Sequence, residues 1–171
     1  LTYDVNGNRL SDDNFNYKWD EAARLVAVTK KGESNAFTAY TYDDDNRRLS
    51  KTVNGQTINY HYDGDSIDVL YETDNNNSVL RQYIYSDDNI RLAMKSGQHT
   101  VYYHYNGHGD VISLTDEQGK QVATYSYDAW GNVLKSEATT TIAKCNPYGY
   151  AGYTYDAEIQ QYYLMARYYH R

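Results

Sequence analysis

His104 and His108, in the stretch HYNGH, stand four residues apart, the spacing by which one face of a helix can hold a zinc ion. Here the two histidines flank a glycine turn, and no third ligand follows by spacing. Two acidic runs carry oxygen atoms that could coordinate calcium. One is DGDSID, with Asp63, Asp65 and Asp68; the other is YDDDN, with Asp43, Asp44, Asp45 and Asn46. Neither has the glycine and the final glutamate of an EF-hand loop, so both read as solvated turns. Cys145 has Lys144 and Pro147 beside it and no neighbouring base to make it a nucleophile. Pairs such as Asp43/Arg48, with Asp63, Asp128 and Arg91 at related positions, could do acid–base work. They recur along the chain, whereas an active site is unique. Turn-capping aspartate and arginine stacked on tyrosine explain the recurrence directly. The expectation is therefore no catalytic residue, no metal and no cofactor.

The elements that would position these groups follow from tyrosine. The 171 residues include 22 Tyr against 2 Phe and 2 Trp. Tyrosine buries a large ring but keeps a hydroxyl that needs a partner, which suits positions half buried and half wet. Net charge is −7, and this argues against nucleic acid and against an anionic membrane surface. No apolar run approaches the roughly 20 residues of a membrane span, so membrane insertion is not expected. A single cysteine rules out an internal disulfide framework.

The tyrosines repeat. Tyr-x-Tyr or Tyr-x-Trp begins at Tyr17, Tyr40, Tyr60, Tyr83, Tyr103, Tyr125 and Tyr153, in steps of 23, 20, 23, 20, 22 and 28 residues. Aromatics at i and i+2 project from one face of a strand. An aspartate usually follows (Asp4, Asp20, Asp43, Asp63, Asp128 and Asp156) and starts a turn. A return strand then opens on Arg-Leu or an apolar pair, as at Arg48-Leu49 and Val111-Ile112. A second turn, such as VNGQ at Val53–Gln56, closes the unit. Each repeat is thus a hairpin, and helix has little support. Stacked edge to edge, the hairpins make an all-β, tandem antiparallel array that coils into a curved or spiralling shell. Its ends are open edges, as expected of a fragment of a larger barrel-like shell. A structural Tyr ladder is expected at Tyr42, Tyr62, Tyr85, Tyr105, Tyr127 and Tyr155.

The pattern Y-x-Y-D-x-x-x-x-R-L resembles the YD repeat of the RHS family of bacterial polymorphic toxins, which includes wall-associated proteins; the teneurins of animals share it. Asn146 to Tyr169, NPYGYAGYTYDAEIQQYYLMARYY, resembles the RHS-associated core motif, with matches at Pro147, Gly152, Asp156, Tyr163, Ala166, Arg167 and Tyr169 among others. The resemblance divides the chain into a hairpin array, 1–145, and the truncated start of the core motif, 146–171. It implies a hollow shell whose Tyr-lined inner wall faces an enclosed cavity. It also implies a C-terminal toxin domain of the same polypeptide as cargo, neighbouring YD repeats as partners, and a bacterial protein secreted or attached to the cell wall or surface. The cleavage aspartates and the toxin lie beyond this sequence. The family's Thr-Gly-Leu turn is replaced by Ile159-Gln160-Gln161, which implies a different or strained turn at Gln160. His170-Arg171 stands where the family continues Asp-Pro. The residues leave one alternative open, a module whose exposed Tyr face binds cell-wall glycan or a partner protein.

Overall fold

A computed structural model describes residues 1–165 and 167–169; the motif match at Ala166 and the departures at His170 and Arg171 lie outside the described residues. The array runs β1 (Thr2–Tyr3), β2 (Arg9–Ser11), β3 (Phe15–Trp19), β4 (Leu25–Lys30), β5 (Ala36–Tyr42), β6 (Arg48–Val53) and β7 (Gln56–Tyr62). It continues through β8 (Val69–Thr73), β9 (Val79–Tyr85), β10 (Arg91–Ser96), β11 (His99–Tyr105), β12 (Val111–Thr115), β13 (Gln121–Tyr127) and β14 (Val133–Ala138). All fourteen form one antiparallel meander in chain order, open at β1 and β14. A four-residue helix, α1 (Thr141–Lys144), and a 3-10 turn (Tyr150–Gly152) follow. A separate sheet of β15 (Thr154–Asp156), β16 (Gln161–Tyr163) and β17 (Tyr168–Tyr169) ends the described chain.

One turn is used again and again. The backbone N–H of residue i bonds the carbonyl of i+4, and the N–H of i+3 returns to the carbonyl of i; this occurs from Asp4, Asp20, Asp43, Asp74, Ser86, Asn106, Asp116 and Asp128. It is a type I turn closed by a bulge residue in the left-handed region. Residue i+3 supplies that conformation, as glycine in Gly7, Gly109 and Gly131 or as asparagine in Asn46 and Asn77. The carboxylate at i accepts the N–H groups of i+2 and i+4, as Asp43 does from Asp45 and Arg47. Asp63 and Asp156 do not make this turn, although the spacing suggests both; Asp156 instead enters an ion cluster described below.

The bulge matters for what faces inward. The register shifts at each such hairpin, so Tyr42 pairs with Arg48 while Tyr40 pairs with Lys51. Residues three apart on a return strand therefore share one face, against the simple alternation of a strand. Leu25 and Val28, Arg48 and Lys51, Arg91 and Met94, and Val111 and Leu114 are the inward pairs, and of these Leu25, Val28, Met94, Val111 and Leu114 are fully buried.

The tyrosines divide their work. Within β3–β14 the first of each pair is packed inward, and Tyr17, Tyr40, Tyr83 and Tyr103 are buried, whereas Tyr153 beyond the array is exposed. The second donates its hydroxyl to a backbone carbonyl on the return strand of the preceding repeat. Tyr42 bonds Leu25, Tyr62 bonds Arg48, Tyr85 bonds Val69, Tyr105 bonds Arg91 and Tyr127 bonds Val111, at 2.7–3.0 Å. Trp19 does the same to Arg9 through its indole N–H. These carbonyls lie where the bulge interrupts the ladder. Phenylalanine would fill the same space and leave each carbonyl without its donor.

The sheet curls around the C-terminal segment. Neighbouring strands lie about 4.8 Å apart, so a flat sheet would set β3 and β13 about 48 Å apart. Yet Gln161 donates to the Tyr17 hydroxyl of β3, and the adjacent Tyr162 donates to the Gly131 carbonyl after β13. Side chains on consecutive residues can bridge no more than about 30 Å, given 3.8 Å between their Cα atoms. The concave face carries two cores. One gathers Tyr83, Met94, Val101, Tyr103, Val111 and Leu114 with Tyr148, and the other gathers Tyr17, Leu25, Val28 and Tyr40 with Ile159. In both, the C-terminal segment provides the second layer that a single sheet lacks.

Candidate functional site

The concave face is not a bare Tyr wall around a cavity, as the resemblance implied; over this length the chain's own residues 146–165 and 167–169 cover it. The contact is built from three polar sockets set in tyrosine. At the first, the Arg48 guanidinium forms a two-point pair with Asp156, Nη1 to Oδ2 at 2.6 Å and Nη2 to Oδ1 at 3.1 Å. It also lies over the rings of Tyr163, Tyr40 and Tyr60, at 4.3, 5.2 and 5.2 Å from their centroids. Lys51 Nζ reaches Asp156 Oδ1 at 2.9 Å and Glu158 Oε1 at 3.2 Å. Two cations from β6 thus meet two carboxylates from β15 and the turn after it, and both Arg48 and Asp156 are buried, at 2% and 0% exposure. Burial by itself would raise the Asp156 pKa. The charges of Arg48 and then Lys51 overcome this and hold the carboxyl below the ordinary carboxylate range. Burial likewise works against the charged forms of Arg48 and Lys51, and Asp156 foremost reverses it, so both cations stay protonated.

At the second socket Glu72, buried, accepts the Tyr83 hydroxyl at 2.9 Å and is paired by Arg81. Arg81 also donates to the Cys145 carbonyl at 3.2 Å and so ties the array to the segment that follows it. At the third, the Arg91 guanidinium stacks on Tyr148, 3.2 Å from the ring centroid, with Tyr83, Tyr85 and Tyr103 between 5.4 and 5.9 Å away. Asn146 fastens the segment further by accepting the Tyr103 hydroxyl at 2.9 Å. Asp110 accepts the Ala151 N–H at 2.8 Å while bonding His108 on the same oxygen.

The residues singled out by sequence fall into two groups. Tyr42, Tyr62, Tyr85, Tyr105 and Tyr127 lie in the sheet as the hydroxyl donors just described. Tyr155, placed in the same ladder by its spacing, belongs to β15 and packs its ring 4.9 Å from Tyr162. From the core motif, Asp156 and Tyr163 converge on Arg48. Pro147 offers its carbonyl to the Tyr155 N–H, and Gly152 adopts φ 72° in the 3-10 turn. Arg167 is exposed, and Tyr169 pairs with Tyr162 at the edge of the small sheet. Gln160 is strained as expected, holding φ 56° without glycine. Lys51 and Glu72 escaped sequence reading, and Glu158 and Gln161 were read only as part of the core motif and its altered turn. The bulge shift from three-residue spacing was the signal for Lys51; the others have partners only across the fold. A glycan-binding Tyr face is not supported, because the inward tyrosines are covered by the chain itself. No group of three or more metal-ligating side chains comes together among the described residues.

Comparison with known proteins places these features. The teneurin YD-shell family model matches residues 1–171. The chain is 55% identical over 169 residues to the tRNA(Glu)-specific nuclease WapA of Bacillus subtilis subsp. natto. It is 53% identical over the same length to the tRNA nuclease WapA of Bacillus subtilis strain 168. Each match takes in 99% of this chain but 7% of the relative, so the chain spans a small part of those proteins. Among solved structures, TcdB2-TccC3 superimposes with a TM-score of 0.76 at 19% identity, over 98% of this chain and 9% of that one. A Photorhabdus luminescens Tc holotoxin pore does so with a TM-score of 0.74 at 17% identity, over the same shares.

Proposed function

Because the chain belongs to the teneurin YD-shell family, we propose that it is the closing part of a shell that encloses and delivers a toxin domain of the same polypeptide. In this reading residues 1–145 are wall, and the described residues from 146 to 169 are a strip that fills the wall's concave side. The observation that carries it is the Arg48–Lys51–Asp156–Glu158 cluster, which fixes the strip across the wall with every charge paired. A filled concave face cannot also hold cargo, so the cargo lies against wall built by neighbouring repeats, which continue from the open edge of β1. The role of this segment is mechanical, and the nuclease activity in the relatives' names would belong to chain outside it. Such a protein is secreted and bacterial, with attachment to the cell wall as the finer expectation.

The experiment is an intact-mass measurement on the full-length gene product, purified natively from its host. Co-purifying pieces, one cut a few tens of residues beyond Arg171, are expected of a shell holding released cargo. A single polypeptide ending near Arg171 would overturn the reading.

A further inference from the structure

Arg91 differs from the other inward arginine of its kind. Arg48 occupies the same place in its repeat, opposite the second tyrosine of the pair, and meets a carboxylate at 2.6 Å. Arg91 has no carboxylate within ion-pair distance among the described residues, and its Nε is buried without a hydrogen-bond partner. Its companion three residues on is Met94, so nothing on its own strand balances the charge. The residue is half-buried, and a guanidinium drawn partly out of water without a carboxylate keeps only the tyrosine faces as compensation.

Arg91 lines a cavity of about 260 Å³ between the array and the C-terminal strip. Two other charged residues line it. Arg47 is already bonded to Asp43 at 2.7 Å and to the Gly64 and Ser66 carbonyls. Asp68 is half-buried, and among the described residues its one side-chain bond is a long one from the Ser66 hydroxyl, at 3.4 Å. Asp68 also shares a second, adjoining cavity with Arg91, yet the two form no ion pair. The framework therefore holds one cation and one anion apart across an open space. The rest of the lining includes Ile67, Leu164 and Met165, with Ile67 and Met165 exposed at its mouth.

We propose that this cavity binds a small zwitterion, an α-amino acid with an apolar side chain, its carboxylate on Arg91 and its ammonium on Asp68. The apolar side chain lies against Ile67, Leu164 and Met165. A ligand with one charge would neutralise one wall and leave the other unmatched. The cavity is slightly below the usual range for drug-sized ligands, which suits a molecule as small as an amino acid. The inference stands independently of the shell reading, since it concerns a site on the face that the chain itself has closed.

The test is isothermal titration of the intact chain with L-leucine, beside two analogues of the same shape. These are 4-methylpentanoate, which lacks the ammonium, and isoamylamine, which lacks the carboxylate. Saturable leucine binding is expected, weakened tenfold or more in Asp68→Asn and in Arg91→Met, with each analogue weaker than leucine by a similar factor in the unmodified chain. Isoamylamine should be indifferent to Arg91→Met, and 4-methylpentanoate to Asp68→Asn. No saturable leucine binding up to tens of millimolar would overturn the proposal. So would 4-methylpentanoate binding as tightly as leucine, or leucine affinity unchanged in Asp68→Asn. If Arg91→Met does not fold, Asp68→Asn and the analogues decide alone, because Asp68 makes no contact that holds two strands together.

Discussion

Replacing Tyr105 by phenylalanine removes one oxygen atom and tests why this chain uses tyrosine. The ring keeps its place beside Tyr103, 6.1 Å away, while the Arg91 carbonyl loses the donor that reached it at 2.7 Å. A net contribution of about 0.5–1.5 kcal/mol is expected for such a bond. The same change at Tyr62 and Tyr127 removes bonds of 2.7 and 3.0 Å to Arg48 and Val111. Successive sites are two strands, or about 9.6 Å, apart, far enough for their effects to add within about 0.5 kcal/mol. The five-fold variant at Tyr42, Tyr62, Tyr85, Tyr105 and Tyr127 should then lose about 2.5–7.5 kcal/mol. That is a large part of the roughly 5–15 kcal/mol that holds a typical domain together. Urea unfolding followed by circular dichroism measures this, with the slope of free energy on urea unchanged if only stability moves. Tyr102, which faces outward at 44% exposure, is the control. If Tyr105→Phe, Tyr62→Phe and Tyr127→Phe shift stability no more than Tyr102→Phe, the hydroxyl bonds do not hold the repeats together and the explanation for tyrosine fails.

Asp156→Ala leaves the buried Arg48 and the half-buried Lys51 with Glu158 alone, and should cost about 3–5 kcal/mol in the same unfolding measurement. The native carboxyl pKa lies below its unfolded value, so its contribution is complete above about pH 4 and is lost as pH falls through the native pKa. Acid titrations of the unmodified chain and the variant should therefore stay separated down to about pH 4 and converge below it; convergence already at pH 6 would contradict the assignment. Gln160→Gly should stabilise the chain by about 1 kcal/mol, because φ 56° strains glutamine and not glycine; a lower midpoint in thermal unfolding would show that the Gln160 side chain is needed.

The repeat was legible because it is local. Tyr-x-Tyr, the aspartate after it and the Asn-Gly turn each act within a few residues, and the same short rule applied seven times yields the meander from β1 to β14. The four-residue α1 was not legible, because so short a helix carries no apolar period to read. What alternation could not show is the parity break at each bulge, which turns Lys51 inward beside Arg48 and Met94 inward beside Arg91. Asp156 illustrates the limit most sharply. After Tyr155 it looks like one more turn aspartate, yet its carboxylate caps no turn.

Its actual partner, Arg48, is 108 residues earlier, and no local rule relates them. The sequence by itself determined the hairpins, their turns and the row of tyrosines, since strand period and turn chemistry are settled by neighbours. Only the tertiary structure decided that the concave face is occupied, that Arg48 meets a carboxylate while Arg91 meets none among the described residues, and that Tyr155 leaves the ladder. Those outcomes depend on where a curled sheet brings distant residues together, and curvature is a property of the whole sheet.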